Sequence, residues 1–222
     1  MPLSPRRPSI VIAIAILVAA VLTGCGRVPG VYVYESNSGS APAGGASATD
    51  AKTYVADAWA SKIVPTVHDK AADITTVAAA IAEDPEAAGK QYGHQAGTGS
   101  PYAFMVKGSG TVTKVDTSVP TGPMTVEIPQ PGGKPLTVTI ATGPVIAGTA
   151  IRDAVGFISF GDFTNQIEYA NVANQINDRV KTDVIAKVEV KGATGKKVTF
   201  AGAFSNLPGG SILVVPTELE VA

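Results

Sequence analysis

The chain of 222 residues has little of the material from which most chemical sites are built. It contains one cysteine, two histidines and one tryptophan. A lone cysteine excludes a disulfide within the chain. His68 and His94 stand in no metal-ligand spacing and are expected at the surface. No phosphate-binding glycine loop and no serine elbow is present. The sequence therefore predicts a protein that is not an enzyme and that holds no metal or cofactor.

Charge of either sign is also sparse, since only 16% of the residues are charged. No basic run occurs outside the first residues. Removal of Arg6 and Arg7 with a leader lowers Lys+Arg from 17 to 15 against 18 Asp+Glu, a formal net charge of −3. Proteins that bind nucleic acid normally present a basic patch. Nucleic acid is therefore not an expected partner.

The longest apolar run is short. It covers the 13 residues Ile10–Leu22, whereas a membrane-spanning helix needs about 20 residues. Arg6 and Arg7 precede the run, and Leu22-Thr23-Gly24-Cys25 ends it. This order of charge, apolar core, small residues and cysteine resembles a lipoprotein signal, in which the thiol is lipidated and the chain is cut before it. The alternatives are an uncleaved anchor or a cytosolic protein with an apolar tail.

Residues 1–24 are therefore predicted to be a lipoprotein signal peptide, and Cys25 the lipidation site. Each buried CH₂ of an acyl chain contributes about 0.8 kcal/mol, so two or three chains such as palmitate on one cysteine make a stable anchor. The mature protein is expected on the extracytoplasmic side of the cell membrane. Residues 25–48, rich in Gly, Ala and Ser, are predicted to be a flexible tether of roughly 25–30 Å.

Residues 49–100 carry helical patterns. Asp50 is a predicted N-cap, and apolar residues follow at the helical spacing of Val55, Ala58, Trp59 and Ile63. Pro65 is expected to end or kink this run. A second stripe occupies Val67, Ala71, Ile74, Ala78 and Ile81. Asp84-Pro85 then predicts the start of a short helix that ends near Gly93. Trp59 is interpreted as a core or docking residue.

Residues 101–222 change to the two-residue period of strands. Three strands are predicted first, each with its inward apolar residues on one face: Phe104, Val106 and Val112; Met124, Val126 and Ile128; and Leu136, Val138 and Ile140. Further strands are predicted over residues 184–190, 198–204 and 212–221. Gly108-Ser109-Gly110 predicts a bend in the first strand. A helix with Ile167, Ala170, Ala173, Ile176 and Val180 interrupts the series.

The predicted fold class is mainly β with α. A helical segment precedes an OB-like barrel of five or six strands, with one helix between strands three and four. This element order, with a long bent first strand, is typical of the OB fold. An α+β sandwich with a helical cap is the alternative.

The most distinctive stretch is Thr142–Ala154 with its continuation Phe157–Gln166. Together with Ala58-Trp59, Lys62–Pro65 and Lys107–Gly110, it resembles the family of predicted periplasmic lipoproteins of unknown function. Their genes often stand near those of sugar ABC transporters. The resemblance covers most of the mature chain and implies an OB-like barrel. It supplies no catalytic residues.

Within that stretch, five polar residues form the candidate contact site: Arg152, Asp153, Asp162, Asn165 and Gln166. Arginine offers a planar fork and aspartate accepts from hydroxyls, so with the aromatic faces of Phe157, Phe160 and Phe163 they would suit a sugar. The competing interpretation is structural, with the arginine paired internally, the aspartates capping helices and the phenylalanines filling the barrel end. Gly143 and Gly148 are interpreted as turn positions.

Three functions are compatible with these observations. The first is a lipid-anchored accessory or binding module linked to sugar or other solute transport, with transporter subunits or a solute-binding protein as partners. The polar and nearly uncharged outer residues Thr125, Glu127, Thr137 and Thr139 would then form its binding face. The second is an enzyme acting on envelope glycans through Asp153 and Asp162. The third is an OB-fold protein that binds nucleic acid.

Overall fold

The computed structural model describes residues 50–131, 133–207 and 210–222. The predicted signal peptide (1–24), Cys25 and the tether (25–48) lie outside the described residues. The helical segment comprises α1 (Ala51–Ala58), a π-helical turn (Trp59–Ile63), α2 (Val64–Lys70), a short strand β1 (Ala72–Asp73), α3 (Ile74–Glu83), α4 (Pro85–Tyr92) and a short strand β2 (Gly93–Gln95).

Three aspartates begin helices in this segment. The side chains of Asp50, Asp73 and Asp84 each accept hydrogen bonds from backbone amides of the first helical turn. These caps satisfy amides that have no partner within the helix. The predictions for Asp50 and for Asp84-Pro85 are confirmed, and Trp59 is buried in the core as expected.

The prediction for the middle of the segment is partly wrong. Pro65 neither ends nor sharply interrupts the first run, because the turn before it is π-helical and Pro65 occupies the first turn of α2. Proline is tolerated in the first turn of a helix, so its missing N–H does not interrupt α2. The second stripe is not one helix. The chain is extended at Ala72–Asp73, and β1 pairs in parallel with Val106 and Lys107 of the long strand that follows β2.

The β region forms a closed ring of five strands: β3 (Tyr102–Val115), β4 (Pro123–Ile128), β5 (Leu136–Ala141), β6 (Lys197–Ser205) and β7 (Leu213–Val221). The pairing runs β3-β4-β5-β7-β6, and β6 pairs again with β3. The β5–β7 pair is parallel, and the other pairs in the ring are antiparallel. This is the topology of an OB fold, as predicted.

The long strand β3 closes the ring because it pairs on two sides. Its first part, Ala103–Thr111, pairs with β6, and its last part, Thr111–Val115, pairs with β4. Glycine is required at the crossing. A β-carbon on Gly110 would lie 2.5 Å from the carbonyl oxygen of Glu127, and one on Gly108 would lie 2.8 Å from Ile74. The predicted bend therefore occurs where other segments of the same chain approach β3 closely.

The connection between β5 and β6 departs from the prediction in three ways. It contains two α-helices in the described residues, α5 (Ala150–Ala154) and α6 (Gln166–Arg179), rather than one. The predicted strand over residues 184–190 is wrong, because α6 continues into a π-helical turn (Val180–Val184) and a 3₁₀ turn (Ile185–Lys187). The predicted stripe of this helix is confirmed at Ala173, Ile176 and Val180, but Ile167 and Ala170 are exposed and Val172 is buried.

One hydrophobic core joins the helices and the barrel. Ile63, Val67 and Ile74 from the helical segment are fully buried beside Phe104 and Phe204 of the barrel, whose rings stack 5.2 Å apart. Helix α1 packs on α6, and α2 packs on β3 and β6. The helices therefore cover one side of the barrel. No helix of the described chain packs extensively on β4 or β5.

Candidate functional site

Arg152 and Asp153 form a mostly buried ion pair on α5, with side chains 10% and 14% exposed. The Nε and Nη2 groups of Arg152 donate to the same oxygen, Asp153 Oδ1, over 2.8 and 2.7 Å. Thr149 Oγ1 donates to the other oxygen over 2.5 Å. The carboxylate is thus occupied on both sides by groups of the protein.

The guanidinium of Arg152 also stabilises the neighbouring helix. Its Nη1 donates to the carbonyl oxygen of Tyr169 over 3.2 Å, and its Cζ lies 3.9 Å from the centre of the Tyr169 ring. This distance is that of a cation–π contact. Burial raises the pKa of Tyr169, and the nearby cation of Arg152 opposes that rise. Arg152 therefore joins α5 to α6 through two contacts with Tyr169, a hydrogen bond and a cation–π contact.

The aromatic residues near this pair pack mainly on one another. Phe163 is buried, and its ring meets Tyr54 of α1 edge to face at 5.2 Å. Phe160 is 55% exposed and touches Tyr169 at 5.9 Å. Phe157 is half-buried. Of the three predicted phenylalanines, only Phe160 offers a largely open face.

The other three predicted site residues stand at helix starts. Asp162 Oδ2 accepts from the amide of Ser159 over 2.9 Å. Asn165 Oδ1 accepts from the amides of Ile167 and Glu168 at the N-terminus of α6. Gln166 is exposed at the first position of that helix. The structure therefore brings Arg152 and Asp153 together and gives Asp162 and Asn165 capping positions; their predicted contact role stays a prediction.

The histidines and the notable glycines take structural positions. His68 is exposed and its Nδ1 lies 3.0 Å from Glu218 Oε1. His94 is half-buried, and its Nδ1 donates to the carbonyl oxygen of Asp153 over 2.6 Å. A β-carbon on Gly143 would lie 2.4 Å from the carbonyl oxygen of Pro120, so this glycine permits two loops to cross. Gly148 has φ +98°, a turn conformation that favours glycine.

The outward residues of β4 and β5, Thr125, Glu127, Thr137 and Thr139, form an open surface that we call the β4–β5 face. All four are exposed or half-buried, as the alternation predicts. Lys114, Thr125, Thr139 and Leu213 are successive cross-strand neighbours. The face thus continues onto Leu213, which is 44% exposed at the end of the β6–β7 loop. The β3–β4 loop presents Val119, which is 41% exposed.

The β3–β4 loop is held in place by the carboxylate of Asp116. Asp116 Oδ1 accepts from both the amide and the hydroxyl of Ser118, and Lys114 lies 3.2 Å from Oδ2. The hydrogen bond from the Ser118 hydroxyl is the largest of the effects that lower the pKa of Asp116 to about 2. The loop beside the β4–β5 face is therefore anchored by an ionised group.

A different surface holds a groove of about 660 Å³ with charged residues among its lining, which we call the β3–β6–β7 groove. Outward residues of these three strands line it together with residues from the end of α2, from β1 and from the turns after α6. The sequence analysis missed it. Its members stand far apart along the chain, and the only local signal was the exposed glutamates of β7.

Two kinds of feature are absent from residues 50–222 as far as the structure describes them. No group of three or more His, Cys, Asp or Glu side chains is placed to hold a metal ion. Within the same described residues, no helix has both the length and the apolar character needed to cross a bilayer.

The closed ring of five strands and its pairing order define an OB-fold protein. The sequence profile of the predicted periplasmic lipoproteins called DUF2291 matches residues 15–220, and the chain belongs to this family. Among solved structures, the chain is similar to an OB-fold protein of Thermotoga maritima, with 23% identity and a TM-score of 0.64. The match covers 78% of this chain and 99% of the other, and shows the fold. A search of curated proteins found no match.

Proposed function

We propose that this periplasmic lipoprotein is a non-catalytic accessory module of solute transport. A lipid on Cys25 would anchor it to the membrane, and its β4–β5 face would dock on a transporter subunit or a solute-binding protein. The family resemblance implies a connection with sugar transport, which makes a sugar transporter the expected partner.

The observation that carries this proposal is the open β4–β5 face. In OB folds, the face of these two strands and the loops beside it commonly bind ligands. The helices of the described chain leave this face uncovered, although they cover the other side of the barrel. Its threonines and the exposed Leu213 offer hydrogen-bonding groups beside an apolar anchor, as protein interfaces do.

The two other functions have less support. A glycosidase needs two carboxylates flanking a substrate. Asp153 is instead paired with Arg152, and Asp162 is bonded to the amide of Ser159. A binder of single-stranded nucleic acid needs a basic groove with stacking aromatics. The β4–β5 face carries Glu127, and no aromatic side chain belongs to it.

Capture of the lipidated protein from its own membranes tests the docking proposal. After brief cross-linking, we expect transporter subunits or a solute-binding protein to be enriched. Thr137→Glu places a charge on the exposed face and should reduce this enrichment at least fivefold. Ala60→Glu adds the same charge to an exposed position on the helical side and should leave it unchanged. If the partner is enriched equally with Thr137→Glu and with Ala60→Glu, the β4–β5 face is excluded as the docking surface.

Anchoring is tested separately with Cys25→Ala. Loss of the only thiol removes the acceptor for the lipid. If the anchor is the lipid, processing at residue 24 fails, and mass spectrometry of the wild-type protein finds acyl chains on Cys25. A wild-type protein that is cut elsewhere and carries no lipid contradicts this part of the proposal.

A further inference from the structure

The β3–β6–β7 groove has a floor of small side chains between charged ones. Across the strands, Lys107 pairs with Ala201, which pairs with Glu218. In the next row, Ser109 pairs with Thr199, which pairs with Glu220. Small residues at the centre of each row keep the floor low, and longer charged residues stand at three of the four row ends.

The backbone is irregular at three places around this groove. The register of β6 and β7 shifts so that Thr217 is an extra residue in β7, and its hydroxyl donates to the carbonyl of Ala201 over 3.3 Å. A π-helical turn leads into α2, which carries His68 to one wall. The π-helical turn Val180–Val184 supplies Asp183 to the other wall. Bulges and π-helical turns are concentrated at functional sites.

Three of the carboxylates at the groove are held in place by groups of the protein. Arg179 lies 3.1 Å from Asp183, and His68 lies 3.0 Å from Glu218. Asp73, at the mouth, accepts from the first amides of α3. Burial opposes the ionisation of Asp73, but the hydrogen bonds from Thr75 and Thr76 outweigh it and lower its pKa. Asp73 therefore keeps its negative charge, and all three carboxylates are held in orientation by their partners.

Other groups in the groove retain unused hydrogen-bonding capacity. No ion pair joins Lys107, Lys187 or Glu220 to another residue of the described chain, and all three are exposed. The hydroxyls of Ser109 and Thr199 are exposed on the floor between them. The groove is lined by four carboxylates and two lysines, and three of those carboxylates are already bonded to groups of the protein. Among the groups that the described residues leave unpaired, Lys107 and Lys187 would repel a simple cation, and Glu220 would repel a simple anion.

We propose that the β3–β6–β7 groove binds a neutral polyhydroxylated small molecule. A hydroxyl group both donates and accepts, so it can satisfy the carboxylate and ammonium groups that line the groove. The volume of about 660 Å³ lies within the range of small-molecule pockets. Phe200 is only 4% exposed there, so no aromatic platform strengthens binding, and we expect Kd values between about 10 µM and 1 mM.

This inference stands on a different surface and on different residues from the docking face, so either proposal can fail alone. The test is calorimetric titration of the full lipidated protein in nanodiscs. The probes are two neutral polyols (glucose and sorbitol), a zwitterion (alanine), a dianion (succinate), a dication (putrescine) and the neutral-backbone peptide triglycine. We expect glucose or sorbitol to bind more tightly than the other four.

Variants then locate the site. Lys107→Met and Glu220→Gln remove single rim charges and should each weaken polyol binding about tenfold. Thr199→Val keeps the shape and β-propensity of the floor and should weaken it about threefold. Lys52→Met, at an exposed position of α1, is the matched control and should bind as wild type. Equal denaturation midpoints will show that the variants are folded.

Three results would overturn the proposal. The first is no heat of binding for either polyol at 10 mM, a concentration about tenfold above the weakest expected Kd. The second is tighter binding of alanine, succinate, putrescine or triglycine than of both polyols. The third is unchanged polyol affinity in both Lys107→Met and Glu220→Gln.

Discussion

Replacement of Arg152 by methionine separates a structural role from a recognition role for this residue. Methionine keeps much of the apolar stem and removes the charge. Breaking a buried ion pair by removing one partner costs about 3–5 kcal/mol, since the other charge stays uncompensated. The lower end applies here because Asp153 keeps its hydrogen bond from Thr149. Loss of the contact with Tyr169 adds about 1 kcal/mol.

The expected loss is therefore about 4 kcal/mol of unfolding free energy. For a chain of this size, 1 kcal/mol lowers Tm by about 2–4 °C, so Tm should fall by roughly 10 °C. Urea denaturation followed by circular dichroism measures the change on the mature chain carrying Cys25→Ser. Adding Asp153→Asn to Arg152→Met should restore about 1–2 kcal/mol, because the uncompensated charge is removed.

One pattern of results would refute this reasoning. If Arg152→Met costs less than about 1 kcal/mol and yet abolishes partner capture, the arginine acts in recognition and its internal contacts contribute little. Arg152→Lys provides a control for charge alone. Lysine keeps the cation but lacks the planar fork that reaches both Asp153 and the Tyr169 carbonyl, so we expect an intermediate loss of stability.

Two further predictions concern glycine packing and pH. Gly202→Ala places a β-carbon 2.3 Å from the carbonyl oxygen of Val215, a backbone atom that cannot move without separating β6 from β7. It should cost about 1–3 kcal/mol in urea denaturation, whereas Gly161→Ala, which meets nothing within 4 Å, should be nearly neutral. Asp116 has a folded pKa of about 2, below the unfolded value near 3.8, so its stabilising effect is complete above about pH 4 and is lost as pH falls toward 2. Wild type should therefore exceed Asp116→Asn in stability at pH 6, and the difference should shrink between about pH 4 and pH 2; a constant difference would show that the hydrogen bonds of Ser118 are not charge-dependent.

Much of the barrel could be predicted because its signal is local. In β3, β4 and β5 every second residue is apolar, and those residues point to a core shared by one sheet. The N-caps Asp50 and Asp84 could also be predicted, because each carboxylate accepts hydrogen bonds from backbone amides only two or three residues away. Local chemistry and the final fold agree at these positions.

The errors arise where packing overrides local preference. The β-branched residues of the segment 184–190 favour a strand, yet Val184 is buried at the end of a helix that lies against β7. The stripe assigned to α6 is buried at Ala173, Ile176 and Val180, as predicted. It began one turn too early with Ile167, which is 71% exposed, and it omitted the buried Val172. A helical period shows that one face is buried, but it does not show where along the helix the burial begins.

The sequence by itself predicted an export signal with the lone cysteine as the lipidation candidate, and it indicated the inward residues of the first three barrel strands. Each depends on residues close together in the chain. Tertiary structure alone decided that Arg152 and Asp153 are turned inward, that the β4–β5 face is left open, and that Lys107, Thr199 and Glu220 meet in one groove. The physical reason is that closure of the barrel brings together strands separated by about a hundred residues, and no local pattern records which side chains then become neighbours.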